Sequence, residues 1–169
     1  HGVTPGKYLL GAVLVGPRDA MRGWTFGSAT IDGHDVSDTP IALVAGAHID
    51  DAVVTFTSRP TQFSGVLLDH SGGPALQYFI VIFPTAMESW RYGSRRIQLV
   101  RPATDGTFSV VGLPPGEYSV AVVRDIEPNE LYERSFLERL RAASLVNVSL
   151  QEGEHRVQDL RLTGGCDSP

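Results

Sequence analysis

Along residues 105–125, DGTFSVVGLPPGEYSVAVVRD, two alternating apolar runs flank a Gly-Leu-Pro-Pro-Gly break. A period of two places successive side chains on opposite faces of a strand. Phe108 and Val110 therefore share a face, and Pro114 and Pro115, which lack backbone donors, mark the connection. In the second run Tyr118, Val120 and Val122 face one way, and Ser119, Ala121 and Val123 the other. One bulky face and one mixed face predict a sheet covered on one side.

The same test finds further strands. QFSGVLLD (62–69) ends at the turn HSGGPA, and QYFIVIF (77–83) is apolar on both faces, as a central strand requires. IQLVRP (97–102) is short and leads to the Asp105-Gly106 turn. LVNVSLQ (145–151) turns through EGEHR into VQDLRL (157–162), where Val157 and Leu160 fall out of step and predict a bulge near Gln158–Asp159. One helix is expected near 135–142, in SFLERLRAAS: Ser135 followed by Glu138 reads as a capping box, and Phe136, Leu137 and Leu140 form its apolar side. At this length it needs tertiary support, and it is expected to lie as a lid over a sandwich edge or end. Short strands, frequent turns and a single helix predict an all-β, Greek-key β-sandwich.

The chain also repeats itself. GVTPGKYLLGAVL (2–14) matches GLPPGEYSVAVVR (112–124) at a spacing of 110, and IALVAGAHIDDAVVTFT resembles VNVSLQEGEHRVQDLRLT. A repeat implies one structural unit used twice. Residues 59–163 hold a complete copy and 164–169 a tail, whereas 1–58 hold only the back half of a copy. Half a sandwich exposes an apolar face and open strand edges, which favour pairing. Three explanations stand side by side: a piece of a longer chain, packing of the half on the complete copy, or strands donated by a neighbouring chain. On the last, Tyr8, Leu10, Val13, Val54 and Phe56 carry the contacts, and the partners are other copies of the chain or neighbouring repeats.

Composition narrows the class. The chain has 169 residues, 42% of them hydrophobic, with 18 Gly and 11 Pro, which suits a turn-rich β domain with a core. The net charge of -5 comes without a basic block, so nucleic acid is not an expected partner. No apolar run reaches the ~20 residues of a membrane-spanning helix, so no membrane insertion is expected. The lone cysteine, Cys166, forms no internal disulfide and leaves the compartment open.

SGVLLDHSGGPA, DGTFSVVGLPPGEYSVAVV and VSLQEGEHRVQDLRL together resemble the carboxypeptidase regulatory-like domain. The resemblance covers residues 59–163, and 1–58 as the back half of a preceding repeat. It implies a transthyretin-like, Ig-like β-sandwich of bacterial secreted or cell-surface proteins, without catalysis. The G-x-x-P-G-x-Y element is shared with collagen-adhesin B-type repeats, which often carry a Lys–Asn isopeptide bond. Lys7 is the only lysine and 59–163 contain none, so the complete repeat cannot form that bond.

No nucleophile, phosphate-loop or Cys-x-x-Cys pattern is present. No cofactor is expected. An N-terminal His can chelate copper through its amine and ring, but no other part of the chain resembles an enzyme of that kind, so no metal is assigned to His1. The acidic clusters at 32–35, 48–51 and 104–106 read as turn chemistry, and His48 and His155 as surface turn residues. Trp90, Tyr92, Arg95 and Arg96 form the candidate ligand-binding group, because loop aromatics beside arginine suit sugar or protein contacts. The expected function is a non-catalytic structural module of a bacterial extracellular or cell-surface assembly, polymerising by strand complementation. The alternative is an accessory module that binds carbohydrate or protein.

Overall fold

The computed structural model describes residues 3–17, 23–127 and 129–162. His1 and Cys166 lie outside the described residues. The chain divides into two compact units, His1–Pro60 and Thr61–Pro169.

The second unit is an all-β sandwich. Its strands are β6 (Gln62–Leu68), β7 (Phe79–Pro84), β8 (Gln98–Val100), β9 (Thr107–Val111), β10 (Gly116–Val123), β11 (Val146–Leu150), β12 (His155–Val157) and β13 (Leu160–Arg161). One sheet runs β11-β10-β7-β8, all antiparallel. In the other, β6 pairs with β9 antiparallel and with β12 and β13 parallel. Between them lies a core of Phe63, Leu67 and Phe108 from one sheet and Ile80, Ile82, Tyr118, Val120, Val148 and Leu150 from the other.

Both faces of the β10–β7 pair are buried, which differs from the one-sided cover that the alternation of β10 predicts. Helix α1 (Arg134–Ala142) lays Phe136, Leu137 and Leu140 on Val81, Phe83, Ala121 and Val123. The helix therefore forms a third layer on the outer sheet face rather than a lid at an edge. Small Ser119 and Ala121 leave room for it, so the mixed face of β10 is a helix seat rather than a wet surface. Ser119 Oγ bonds to Asn147 Oδ1 at 2.9 Å, which satisfies the buried hydroxyl.

Three local expectations change. The residue before the helix is Glu133, and no side chain caps it; Ser135 lies inside the first turn, where Glu138 pairs instead with Arg134 at 3.0 Å. The predicted bulge is an interruption without a shift: His155 pairs with Gln62 and Leu160 with Leu67, the same offset on both sides. Asp159 replaces the missing ladder bond by accepting from the Val66 N–H at 3.0 Å. Strand β12 also begins earlier than predicted, so His155 is an exposed strand residue and not a turn residue. Gly65 makes this edge possible, since a Cβ there would stand 2.1 Å from the Gln158 carbonyl oxygen.

The first unit contains β1 (Gly6–Tyr8), β2 (Thr25–Ile31), β3 (His34–Asp35), β4 (Ile41–Leu43) and β5 (Ala52–Thr57). β1 pairs with β4, and β2 pairs with β3 and β5, all antiparallel. The β2–β3 hairpin closes through Asp32 and Gly33, both at positive φ, as a two-residue turn of this hand requires. That accounts for the 32–35 cluster: Asp35 accepts from the Ser37 N–H at 2.8 Å, and Ser37 Oγ accepts from the Ala29 N–H at 2.8 Å. Ala29 is the one fully buried apolar residue of this unit among the described residues.

Candidate functional site

The loop between β7 and β8 carries the candidate ligand-binding residues. Pro84 ends β7, and the 3-10 turn Met87–Ser89 returns the chain so that Trp90 lies back on the sheet. Trp90 is half-buried; its indole N–H donates to the Pro84 carbonyl at 2.7 Å, and its ring meets Phe83 edge-on at 5.9 Å. The Arg141 guanidinium of helix α1 sits over the same ring at 5.9 Å. Each of these contacts fastens the loop and the helix to the sheet.

Arg96 serves a different place. Its Nη1 donates to the Pro115 carbonyl at 2.9 Å and to the Tyr118 hydroxyl at 3.4 Å. The Tyr118 hydroxyl in turn donates to the Pro114 carbonyl at 2.6 Å and is buried there. Arg96 thus braces the Gly-Leu-Pro-Pro-Gly connection that joins the two sheets. The backbone carbonyl of Arg95 accepts from Gln98 Nε2 at 2.8 Å. Tyr92 stands apart: its side chain is 74% exposed, and its ring meets that of Tyr132 at 4.8 Å. The structure therefore brings Trp90 beside Arg141 and Tyr92 beside Tyr132, while Arg96 points to the connection. Tyr132 and Arg141 went unmarked in the sequence, where an isolated tyrosine and a helix arginine carry no signal of what they face.

The turns hold their own acids. Asp69 accepts from the Ser71 hydroxyl at 2.6 Å, the Ser71 N–H at 2.8 Å and the Gly73 N–H at 2.9 Å. Asp105 accepts from the Thr107 hydroxyl at 2.7 Å and its N–H at 3.0 Å. Both carboxyls are held below their ordinary pKa, chiefly by the hydroxyl of Ser71 and that of Thr107 respectively. Among the described residues no group of three or more His, Cys, Asp or Glu side chains is gathered to hold a metal ion. No described helix is long and apolar enough to cross a membrane.

The residues expected to carry assembly fall in the first unit. β1–β4 and β10–β11 share one register: Gly6 faces Leu43 and Tyr8 faces Ile41, as Gly116 faces Leu150 and Tyr118 faces Val148. The match extends to a side chain, because the Tyr8 hydroxyl donates to the Thr4 carbonyl at 2.6 Å, four residues back, as Tyr118 does to Pro114. The surroundings differ. Tyr118, Val120, Val148 and Leu150 are buried, whereas Tyr8, Leu10, Ile41 and Leu43 are half-buried. Val13 is 83% exposed and belongs to no strand. Val54 lies exposed on β5, and Phe56 meets Phe26 edge-on at 6.4 Å within the unit.

The chain matches no protein-family model, and no curated protein resembles it in sequence. Among solved structures it is similar to the TIE protein of Bacillus anthracis, at 14% identity over 72% of this chain and 20% of that one, with a TM-score of 0.40. It is similar to a DUF3823 family protein from Parabacteroides merdae, at 18% identity over 62% of this chain and 46% of that one, with a TM-score of 0.37. A form of the major pilin subunit of Bacillus cereus matches at 8% identity over 83% of this chain and 56% of that one, with a TM-score of 0.39. The chain thus spans a fifth to a little over half of these three structures. At these identities and scores the likeness transfers no function, and the β-sandwich is established by the strand pairing itself.

Proposed function

We propose that this chain is a non-catalytic structural β-sandwich module of a bacterial extracellular or cell-surface assembly, joined to its neighbours by strand complementation. One observation carries the reading: the first unit repeats the β10–β11 pairing and its tyrosine bond, yet leaves the corresponding apolar side chains half-exposed. Apolar surface of this kind is costly in water and is met in proteins that join other proteins. The inward use of Trp90 and Arg96 supports the same reading, since polar groups spent on bracing are not offered to a ligand. Residues 59–163 read as the carboxypeptidase regulatory-like repeat and 1–58 as its incomplete companion. Antibody labelling of intact cells of the source bacterium, with fractionation, tests the setting. Label on the outer surface or in the medium is expected, and exclusive recovery from the cytoplasm overturns it.

The accessory-module reading keeps one observation in its favour, the exposed Tyr92 ring beside Tyr132. An exposed tyrosine ring tilted against a half-buried one suits the apolar face of a sugar ring or a protein hot spot. A glycan array, repeated with Tyr92→Ala, decides it: binding that this substitution abolishes favours a carbohydrate module, and a blank array removes that ligand class.

A further inference from the structure

Residues 8–15, YLLGAVLV, are apolar or glycine throughout. Their counterpart in the second unit begins with the last six residues of β10, where Tyr118 to Val123 pair without a break with β7, from Pro84 to Phe79. In the first unit β1 stops at Tyr8, the residue at which that pairing begins in the repeat. Residues 9–15 belong to no strand, and Val13 and Val15 are 83% and 91% exposed. The stretch thus has strand composition and a strand-forming homologue in the same chain, and it lacks strand structure at the positions where the homologue has a neighbour.

We propose that residues 8–13 become a strand when an antiparallel strand of β7 character is added beside them, as the second strand of another repeat's front half, from outside these 169 residues. The inference rests on the structural-module reading and names its partner. Three observations fix the partner's chemistry. β7 is apolar on both faces, with Ile80 and Ile82 turned to one core and Val81 and Phe83 to the other, so an amphipathic strand is not an adequate substitute. Tyr8, Leu10, Ile41 and Leu43 match side chains that in the second unit face β6 and β9, so the complete donor brings a facing sheet as well, while its β7-type strand alone supplies the ladder that residues 9–13 lack. Finally, the described residues hold two back halves, β1–β5 and β10–β13, and a single front half, β6–β9. That front half is already enclosed, with Phe63, Leu67, Ile80 and Ile82 fully buried. However many copies of these residues exchange front halves, one back half for each copy is left over, so copies of these residues alone cannot satisfy the set.

The test uses the 169-residue chain and a synthetic peptide of residues 77–84, QYFIVIFP. Amide exchange in residues 9–13 should slow about tenfold or more when the peptide is added, with the amides of β10 and β11 unchanged. The same peptide carrying Ile80→Asp and Ile82→Asp should have no effect. Register is read by disulfide trapping in a Cys166→Ser background: Gly11→Cys should link to a peptide with Val81→Cys and not to one with Ile80→Cys, because Ala121 faces Val81 in the repeat. Unchanged exchange overturns the proposal, as does equal slowing by the control peptide. Slow exchange of residues 9–13 in the monomeric chain without peptide overturns it too. Slowing that follows chain concentration without peptide assigns the edge to a second copy and overturns the external donor. A cytoplasmic location with positive peptide results would discard the extracellular setting alone, and surface label with no peptide effect would discard the docking alone.

Discussion

Tyr118 and Tyr8 make the same hydrogen bond in opposite surroundings, and that contrast is testable. Tyr118→Phe leaves the buried Pro114 carbonyl without its hydroxyl donor and should lower stability by about 1 kcal/mol in urea denaturation. Tyr8→Phe, at a half-buried site, should change it by a few tenths of that. Gly65 sets a harder limit. Gly65→Ala drives a methyl group into the Gln158 carbonyl and should cost about 1–3 kcal/mol, read in the same experiment. Neither tyrosine is marked out by composition. Their position four residues after Thr4 and Pro114 was visible in the repeat, but the bond depends on the chain folding back at the proline turn.

At the level of elements, helix α1 covers an outer sheet face with three side chains. Leu137→Ala removes a fully buried side chain there and should cost about 2–5 kcal/mol, measured by thermal or urea unfolding. The turns that join strands give the molecule an acid limit. Asp69 and Asp105 are held below the ordinary aspartate pKa, so their turn bonds stabilise the folded chain above that pH and lose effect as the pH falls through their lowered values. The melting temperature should therefore fall more steeply below about pH 4 in the native chain than in Asp69→Asn/Asp105→Asn. Strands β6 and β9 to β11 were legible from alternation because each packs against the sheet opposite, and β7 from an unbroken apolar run because both its faces are covered. The β12–β13 break was not, because it arises from the close approach of Gln158 to Gly65 and the side-chain bond from Asp159.

Across the whole chain, burial is unevenly shared. The second unit holds two apolar clusters, and the first holds Ala29 as its fully buried apolar residue among those described. Hydrogen exchange on the intact chain should show this as slow amides in β6, β7 and β10, and fast exchange in β1 and β4. Uniform protection across both units would contradict it. The cause is the balance of burial against chain entropy, since ordering residues is worthwhile only where apolar area leaves water.

Alternation of apolar residues, turn chemistry at Asp-Gly steps and the 110-residue echo of G-x-x-P-G-x-Y were enough to give the β-sandwich class and most strands. The first two are local properties, written at spacings of two to a few residues, and the echo is a comparison of one such local pattern with another. The cover on β10's second face, the inward use of Trp90 and Arg96, and the unpaired state of residues 9–15 emerged only in three dimensions. A side chain's partner depends on which distant segment folds against it, and no local pattern encodes that choice.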